Sequence, residues 1–250
     1  MKKTKLLSIA ALLIAIASIT TAFKGIKVDD NKGFAVVELF TSEGCSSCPS
    51  ADAVIEKLNK EITDKPIYIL AYHVDYWDRG GWKDAFSSAE YSKRQNDYAT
   101  WLKLKSLYTP QVVVNGKTEF VGSQEGTLRS VIQTDLKSSS KATLHLDHAT
   151  LGTDKISVDY HSSEGRNVQL VTALVQPYAQ VNVKRGENGG RILSHLQIVR
   201  QLQHQNLNQK DGSITIKIPD GADFKTWQLI GLLQDSNTGE ILGATKIALS

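Results

Sequence analysis

A chain of 250 residues has room for two small domains or one large one, and 41% hydrophobic residues is ordinary for a globular protein. The formal charge of +3 falls to 3 − 3 = 0 once Lys2, Lys3 and Lys5 are set aside, so no nucleic-acid or acidic-membrane footprint is supported. Two cysteines, three positions apart, exclude a scaffold stapled by many disulfides.

The three lysines precede an apolar run over 6–19, and Thr20, Thr21 and Ala22 follow it. That is the layout of a secretory signal peptide over 1–22. The run is short for a membrane span, which needs roughly 20 apolar residues. A retained N-terminal anchor is the alternative. No cysteine near the cleavage zone offers a site for a lipid. The expectation is a periplasmic or secreted protein with no membrane span after signal removal, in a compartment where disulfides persist.

Residues 34–40 (Phe-Ala-Val-Val-Glu-Leu-Phe) read as a mostly buried strand. Ala51, Val54, Ile55, Leu58 and Ile62 recur at helical spacing behind it. Residues 67–74 form a second near-continuous apolar run, as a central parallel strand does. Ser87 and Glu90 form a capping box, and Tyr91, Tyr98, Ala99 and Leu102 mark a helix to about Lys105. Residues 111–114 and 117–121 are short strands about Asn115-Gly116, a strong hairpin turn. A last helix carries Leu128, Val131, Ile132 and Leu136. Strand, helix, strand, helix, strand, strand, helix is the order of a thioredoxin-like α/β fold, expected over 34–140.

Beyond a linker at 138–141 the texture changes. Runs at 143–148, 155–161, 168–175, 213–218, 227–233 and 241–248 are short and alternate, with Gly, Asn and Asp between them. This predicts a β-rich domain over 141–250, a sandwich by its pattern. The polar stretch 194–208 receives no assignment.

Cys45-Ser-Ser-Cys48 follows a buried strand and opens a helix, a setting with redox chemistry. Unpaired N–H groups and the helix dipole at a helix N-terminus stabilise a thiolate, which lowers the thiol pKa from roughly 8.5. Cys45 is then the nucleophile and Cys48 the resolving thiol. Pro49 suits the first turn, where a missing N–H costs nothing. Two other readings stay open: a structural disulfide, although so small a loop stabilises little, and a two-thiolate Cu(I) site that His73 could assist.

Thr109-Pro110 immediately precedes the third strand, where the thioredoxin fold carries a cis-proline facing the cysteines. Pro110 is therefore expected to be cis and to shape a substrate platform, with Thr109 pairing to an extended chain. A trans proline at the first strand residue is the alternative. Asp75, Tyr76, Trp77 and Trp82 follow the second strand and emerge at the carboxyl end of the sheet, where ligands bind in open α/β sheets. They could wall a groove beside Cys45 or pack as a lid.

Phe40-Thr-Ser-Glu-Gly-Cys-Ser-Ser-Cys-Pro49, Ala71-Tyr-His-Val-Asp-Tyr-Trp77 and Tyr108-Thr-Pro-Gln111 together resemble a family of secreted thioredoxin-like proteins catalogued as a domain of unknown function. Arg185-Gly-Glu-Asn-Gly-Gly-Arg191 and His195 resemble its C-terminal signature. The resemblance covers essentially the mature chain and implies the fold and a C-terminal β domain, with no substrate. Against well-studied thioredoxins there are departures. Glu38 is one residue too far from Cys45 to be the buried acid of that pattern, so it points to the opposite face unless a bulge intervenes. It then reads as an ordinary surface acid, and Glu43 as solvated. Gly44 replaces an aromatic residue. Around Arg185 and Arg191 the glycines suggest a tight loop with Glu187 paired internally; an anion site made by the two arginines is the sharper alternative.

The sequence thus predicts an exported thiol–disulfide oxidoreductase with no cofactor and no metal. Its partners would be a protein or small-molecule thiol or disulfide and a second redox protein. The competitors are a binding module with a static disulfide and a copper-handling thiol protein.

Overall fold

The computed structural model describes residues 32–249. The expected signal segment 1–22 lies outside the described residues. The chain is a mixed α/β protein with one large sheet.

Strand β1 (Ala35–Thr41) is buried at every position, because parallel β2 (Ile67–His73) flanks it on one side and antiparallel β3 (Gln111–Val114) on the other. Its side chains alternate between two layers. Val37 and Leu39 meet Ala51, Val54, Ile55 and Leu58 of α1 (Cys48–Glu61) and Leu128 and Ile132 of α3 (Glu125–Lys137). Val36 and Phe40 meet Tyr91 and Tyr98 of α2 (Ala89–Trp101). The β1–β2 register runs without a bulge, so Glu38 shares the α2 face with Val36 and Phe40. β4 (Thr118–Val121) closes the hairpin with β3, and Asn115 and Gly116 take φ of 48° and 67°, the positive values a type I′ turn demands.

Two boundaries differ from the sequence reading. Ser88, not Ser87, caps α2, its side chain accepting from the Glu90 N–H at 3.2 Å. Ser87 instead donates to the Asp78 carboxylate at 2.8 Å. The helix ends at Trp101, short of Lys105, because Lys103 turns left-handed with φ 54°.

The second half consists of β5 (Leu144–Leu151), β6 (Lys155–Ser162), β7 (Val168–Asn182), β8 (Ile192–Asn206), β9 (Asp211–Lys217), β10 (Gln228–Asp235) and β11 (Ile241–Ala248). β5, β6 and β9 form a separate antiparallel sheet. It packs Leu146, Ile156, Val158 and Ile216 against Leu170, Leu174, Leu229 and Leu233. The other four strands join the first half in one sheet of order β11-β10-β7-β8-β2-β1-β3-β4.

The two halves, expected as a thioredoxin-like domain over 34–140 and a β-rich domain over 141–250, are not clearly separated. β8 pairs in parallel with β2 at Ala71 and Ile198, covering what would otherwise be an open strand edge. The core under α2 likewise runs from Phe40 and Tyr72 to Val171, Val199 and Ile230. Tyr91 fastens the junction by donating its hydroxyl to the Val199 carbonyl at 2.9 Å.

The unassigned stretch 194–208 is mostly β8. The buried residues of β8 are Leu193 and His195, then Ile198 and Val199 in succession, then Leu202. A left-handed Gln197 (φ 52°) and a register shift opposite Leu174 and Val175 break the alternation that would reveal a strand.

Candidate functional site

Cys45 and Cys48 form a disulfide with Cα atoms 5.4 Å apart. Cys45 lies in the turn after β1, its N–H donating to the Ser42 carbonyl at 3.2 Å, and Cys48 is the first residue of α1. Both residues are buried, at 1% and 0% exposure, so the bond is no open surface feature. Ser46 and Ser47 between them are exposed. The Ser47 hydroxyl lies 3.4 Å from the Cys45 Sγ and 3.4 Å from the Thr109 carbonyl oxygen.

That second contact brings the Thr-Pro segment to the motif. The Thr109–Pro110 peptide is cis. Pro110 stands close to the first turns of α1: a Cβ on Gly122 would meet the Ala51 Cβ at 3.0 Å and the Pro110 Cβ at 3.3 Å. Trp77 donates its indole N–H to the Thr109 hydroxyl at 2.8 Å. The same tryptophan presses on Gly44, where an added Cβ would lie 3.2 Å from the Trp77 Cβ. Gly44 therefore leaves space that Trp77 fills, which accounts for the missing aromatic before Cys45.

The other residues of this segment divide. Trp82 donates to the Glu43 carboxylate at 2.5 Å, beside the motif. Asp75 bonds to α2, where Ser92 donates to it at 2.5 Å; the Tyr76 hydroxyl donates to the Gln95 side chain of α2 at 3.2 Å and also lies by the Thr109 side chain. The sequence groups all four because they are neighbours in the chain. The short 3₁₀ turn Asp75–Gly80 sends them in different directions.

The loop between β7 and β8 is neither internal scaffolding alone nor an anion site made by its two arginines. Its tip docks on the cysteine motif. Asn188, fully buried, donates its side-chain amide to the carbonyls of Glu43 and Cys45, both at 2.9 Å. Glu187 accepts from the Ser46 N–H at 3.0 Å rather than pairing with an arginine, and the Ser46 side chain, together with this backbone bond, holds its carboxyl below the usual range. Arg191 donates to the Asn188 side chain at 2.7 Å and so orients it. Within the tip, Gly186 and Gly190 supply the positive φ of 77° and 82° that the tight reversal requires.

Behind the motif lies a buried polar cluster. Glu43 is 0% exposed, which corrects its reading as solvated. Burial first, then the charge of Asp84, pushes its carboxyl above the ordinary range against the Trp82 hydrogen bond. Asp84 lies 2.7 Å from the Nδ1 of His73 and accepts from the Glu43 N–H at 2.8 Å. Burial opposes charge on both members of this pair, yet their mutual attraction wins: His73 is raised and Asp84 lowered from their ordinary values. His195, from β8, stands edge-on to His73 with ring centres 4.7 Å apart. Its Nε2 is 3.9 Å from Glu43, and its Nδ1 is 3.4 Å from Asp52 on α1.

Glu38 is a second correction. It is fully buried, not a surface acid, and pairs with Arg94 at 2.7 Å on the α2 face. As the strand parity predicts, it faces away from the α1 layer. Glu187, Asn188 and the cluster around His195 were not singled out as site residues by sequence reasoning. The one available signal was the glycine-rich segment at 185–191 with His195 nearby.

The model for the family described as "Protein of unknown function (DUF1223)" matches residues 36–234. The chain belongs to this family. A crystal structure of a protein from Agrobacterium tumefaciens is 28% identical, with the match covering 86% of this chain and 94% of that one at a TM-score of 0.66. A β-glucuronidase from Bacteroides uniformis matches at 8% identity over 42% of this chain and 12% of its own, with a TM-score of 0.19, too low to support any argument. No curated protein matches the chain. The family match spans both the cysteine motif and His195, so site and hairpin fall within one family unit.

Proposed function

We propose that this protein is an exported, thioredoxin-like thiol–disulfide oxidoreductase in which Cys45 attacks the substrate sulfur and Cys48 resolves the mixed disulfide. The observation that carries this reading is the contact between the motif and the Thr109–Pro110 segment. The disulfide sits where a buried strand passes into a helix, and the Thr109 carbonyl oxygen lies 3.4 Å from the hydroxyl of Ser47, inside the motif. An extended substrate chain running past Thr109 would meet the disulfide. Pro110 shapes that platform, while Trp77 holds Thr109 in place and Trp82 braces Glu43 beside the motif. Asp75 and Tyr76 support the platform through α2. The substrate class is a protein or small-molecule disulfide or thiol, and a second redox protein renews the pair.

The second reading is a static disulfide within a binding module. The burial of both cysteines under the β7–β8 tip favours it, since a substrate sulfur needs an approach path. Equilibration with glutathione separates the two. A potential above about −300 mV, with activity lost in both Cys45→Ser and Cys48→Ser and a trapped mixed disulfide in Cys48→Ser, supports the enzyme. A potential below about −300 mV, or full activity in Cys45→Ser, assigns the bond to structure.

A further inference from the structure

Among the described residues, six buried side-chain polar atoms make no hydrogen bond, and four of them lie in one place: Glu43 Oε1, His73 Nε2 and both ring nitrogens of His195. An unpaired buried polar atom costs about 1–3 kcal/mol, and native proteins keep few of them. His195 is the extreme case. It is 1% exposed, and it lies within ion-pair range of two carboxyls without hydrogen-bond geometry to either. Packing alone does not call for an imidazole here, since an apolar side chain would fill the space without orphaned nitrogens.

The two carboxyls beside the ring flank the cysteine motif in the chain. Glu43 is two residues ahead of Cys45. Asp52 is four residues beyond Cys48 in α1, hence on the same helix face, with Cβ atoms about 5–6 Å apart. The remaining groups facing the ring are His73, held by Asp84 at 2.7 Å, and Phe86, with Arg200 stacked over the phenyl ring at 5.1 Å. Three carboxyls therefore meet two imidazoles. One imidazole and one carboxyl are committed to each other, which leaves His195, Glu43 and Asp52 as the uncommitted groups. Burial and Asp84 make Glu43 hold its proton to higher pH than a solvated glutamate does.

We propose that His195 is the acid–base residue that moves protons to and from the Cys45–Cys48 pair, with Glu43 and Asp52 as its carboxyl neighbours. This rests on the redox reading of the pair. In the reductive direction Cys45 first passes its proton to the cluster, and its thiolate attacks one sulfur of a substrate disulfide. The substrate S–S bond breaks, and the departing thiolate takes a proton. Cys48 then passes its proton to the cluster and attacks the Cys45 sulfur. The Cys45–Cys48 bond forms, and the second substrate thiolate leaves and takes a proton. The substrate gains two electrons and two protons; a reducing dithiol, or two small thiols, returns them to the protein. The half of the chain beyond the cysteine motif thus supplies a working group to the chemistry.

The test compares the full mature chain with His195→Gln and Glu43→Gln. Two quantities are measured between about pH 5 and 8, where histidine titrates: the redox equilibrium with glutathione, and the rate at which a glutathione mixed disulfide on Cys45 resolves. The wild-type profiles bend with pH as the cluster titrates. His195→Gln abolishes the bend and slows resolution at least tenfold, within the roughly 10²–10⁴-fold typical of acid–base groups. Glu43→Gln, nearly the same in shape, moves the bend and serves as the second variant if His195→Gln does not fold. Folded variants with wild-type profiles and rates overturn the relay while the redox role stands. A wild-type pair that never exchanges with glutathione overturns both.

Discussion

β1 and the turn after it carry two buried glutamates five residues apart, and their surroundings differ in kind. Glu38 sits in a closed network. It accepts from Arg94 Nε at 2.7 Å and from the Tyr98 hydroxyl. Arg94 also donates to Tyr98 at 3.0 Å and to Gln234 of β10 at 3.2 Å. Gln234 in turn donates to Tyr98 at 3.0 Å and to the Gly239 carbonyl at 2.7 Å. Among the described residues, the Tyr72 Oη is the one buried atom nearby without a hydrogen bond. Around Glu43, by contrast, four atoms are orphaned. Both clusters draw a residue from the second half. A satisfied buried network rigidifies and specifies a fold, whereas an unsatisfied one beside a disulfide keeps donors and acceptors open for protons. One cluster joins the halves through a satisfied network, and the other brings residues of both halves together with unpaired polar atoms.

The largest effect that tests this contrast is Arg94→Met. It strands the Glu38 carboxylate in the core and should cost about 3–5 kcal/mol in urea unfolding, with the redox potential unmoved. A shifted potential would erase the division between the clusters. Asp84→Asn should cost about 1–3 kcal/mol, and its pH dependence sharpens the contrast. His73 is raised above 6.5, so its contribution is present below that value and is lost as pH rises through the raised pKa. Asp84 is lowered below 3.8, so its contribution is lost only as pH falls through the lowered pKa. Wild type should therefore exceed Asp84→Asn by more at about pH 5 than at about pH 9. An equal gap at both would mean that the pair is not charged.

Asn188→Ala removes the side-chain donor from the carbonyls of Glu43 and Cys45, the latter keeping the Cys48 N–H at 3.2 Å, and should cost about 1–2 kcal/mol. Unpinning the tip should also speed reduction of the disulfide by dithiothreitol; an unchanged rate would show that the tip does not limit access. The smallest effect is expected from Glu187→Gln. The carboxylate is exposed and beside the Ser46 N–H, where its charge opposes a thiolate on Cys45. Removing the charge should leave the melting temperature in place and lower the Cys45 thiol pKa, read from the pH dependence of alkylation in the reduced protein.

The sequence by itself determined the features written in short-range chemistry. Apolar periodicity placed β1, α1, β2 and most later strands. Asn115-Gly116 announced its hairpin through the positive φ that those residues tolerate. The cysteine spacing and the Thr109–Pro110 step were visible as motifs before any fold was known. Strand parity was enough to turn Glu38 away from the α1 layer.

Only the tertiary structure decided what fills the other face and who attends the cysteines. Arg94 pairs with Glu38 across 56 positions, and Asn188 reaches the Glu43 carbonyl across 145. Residues that far apart leave no mark on local periodicity. β8 was hidden for a related reason: its left-handed Gln197 and register shift interrupt the alternation that betrays a strand. Once β8 covers the edge of β2, it carries His195 in against Glu43 and Asp52 and brings the tip of its hairpin onto Cys45. Backbone pairing at a sheet edge is met by any chain of matching geometry, so a sequence does not say which strand will take it.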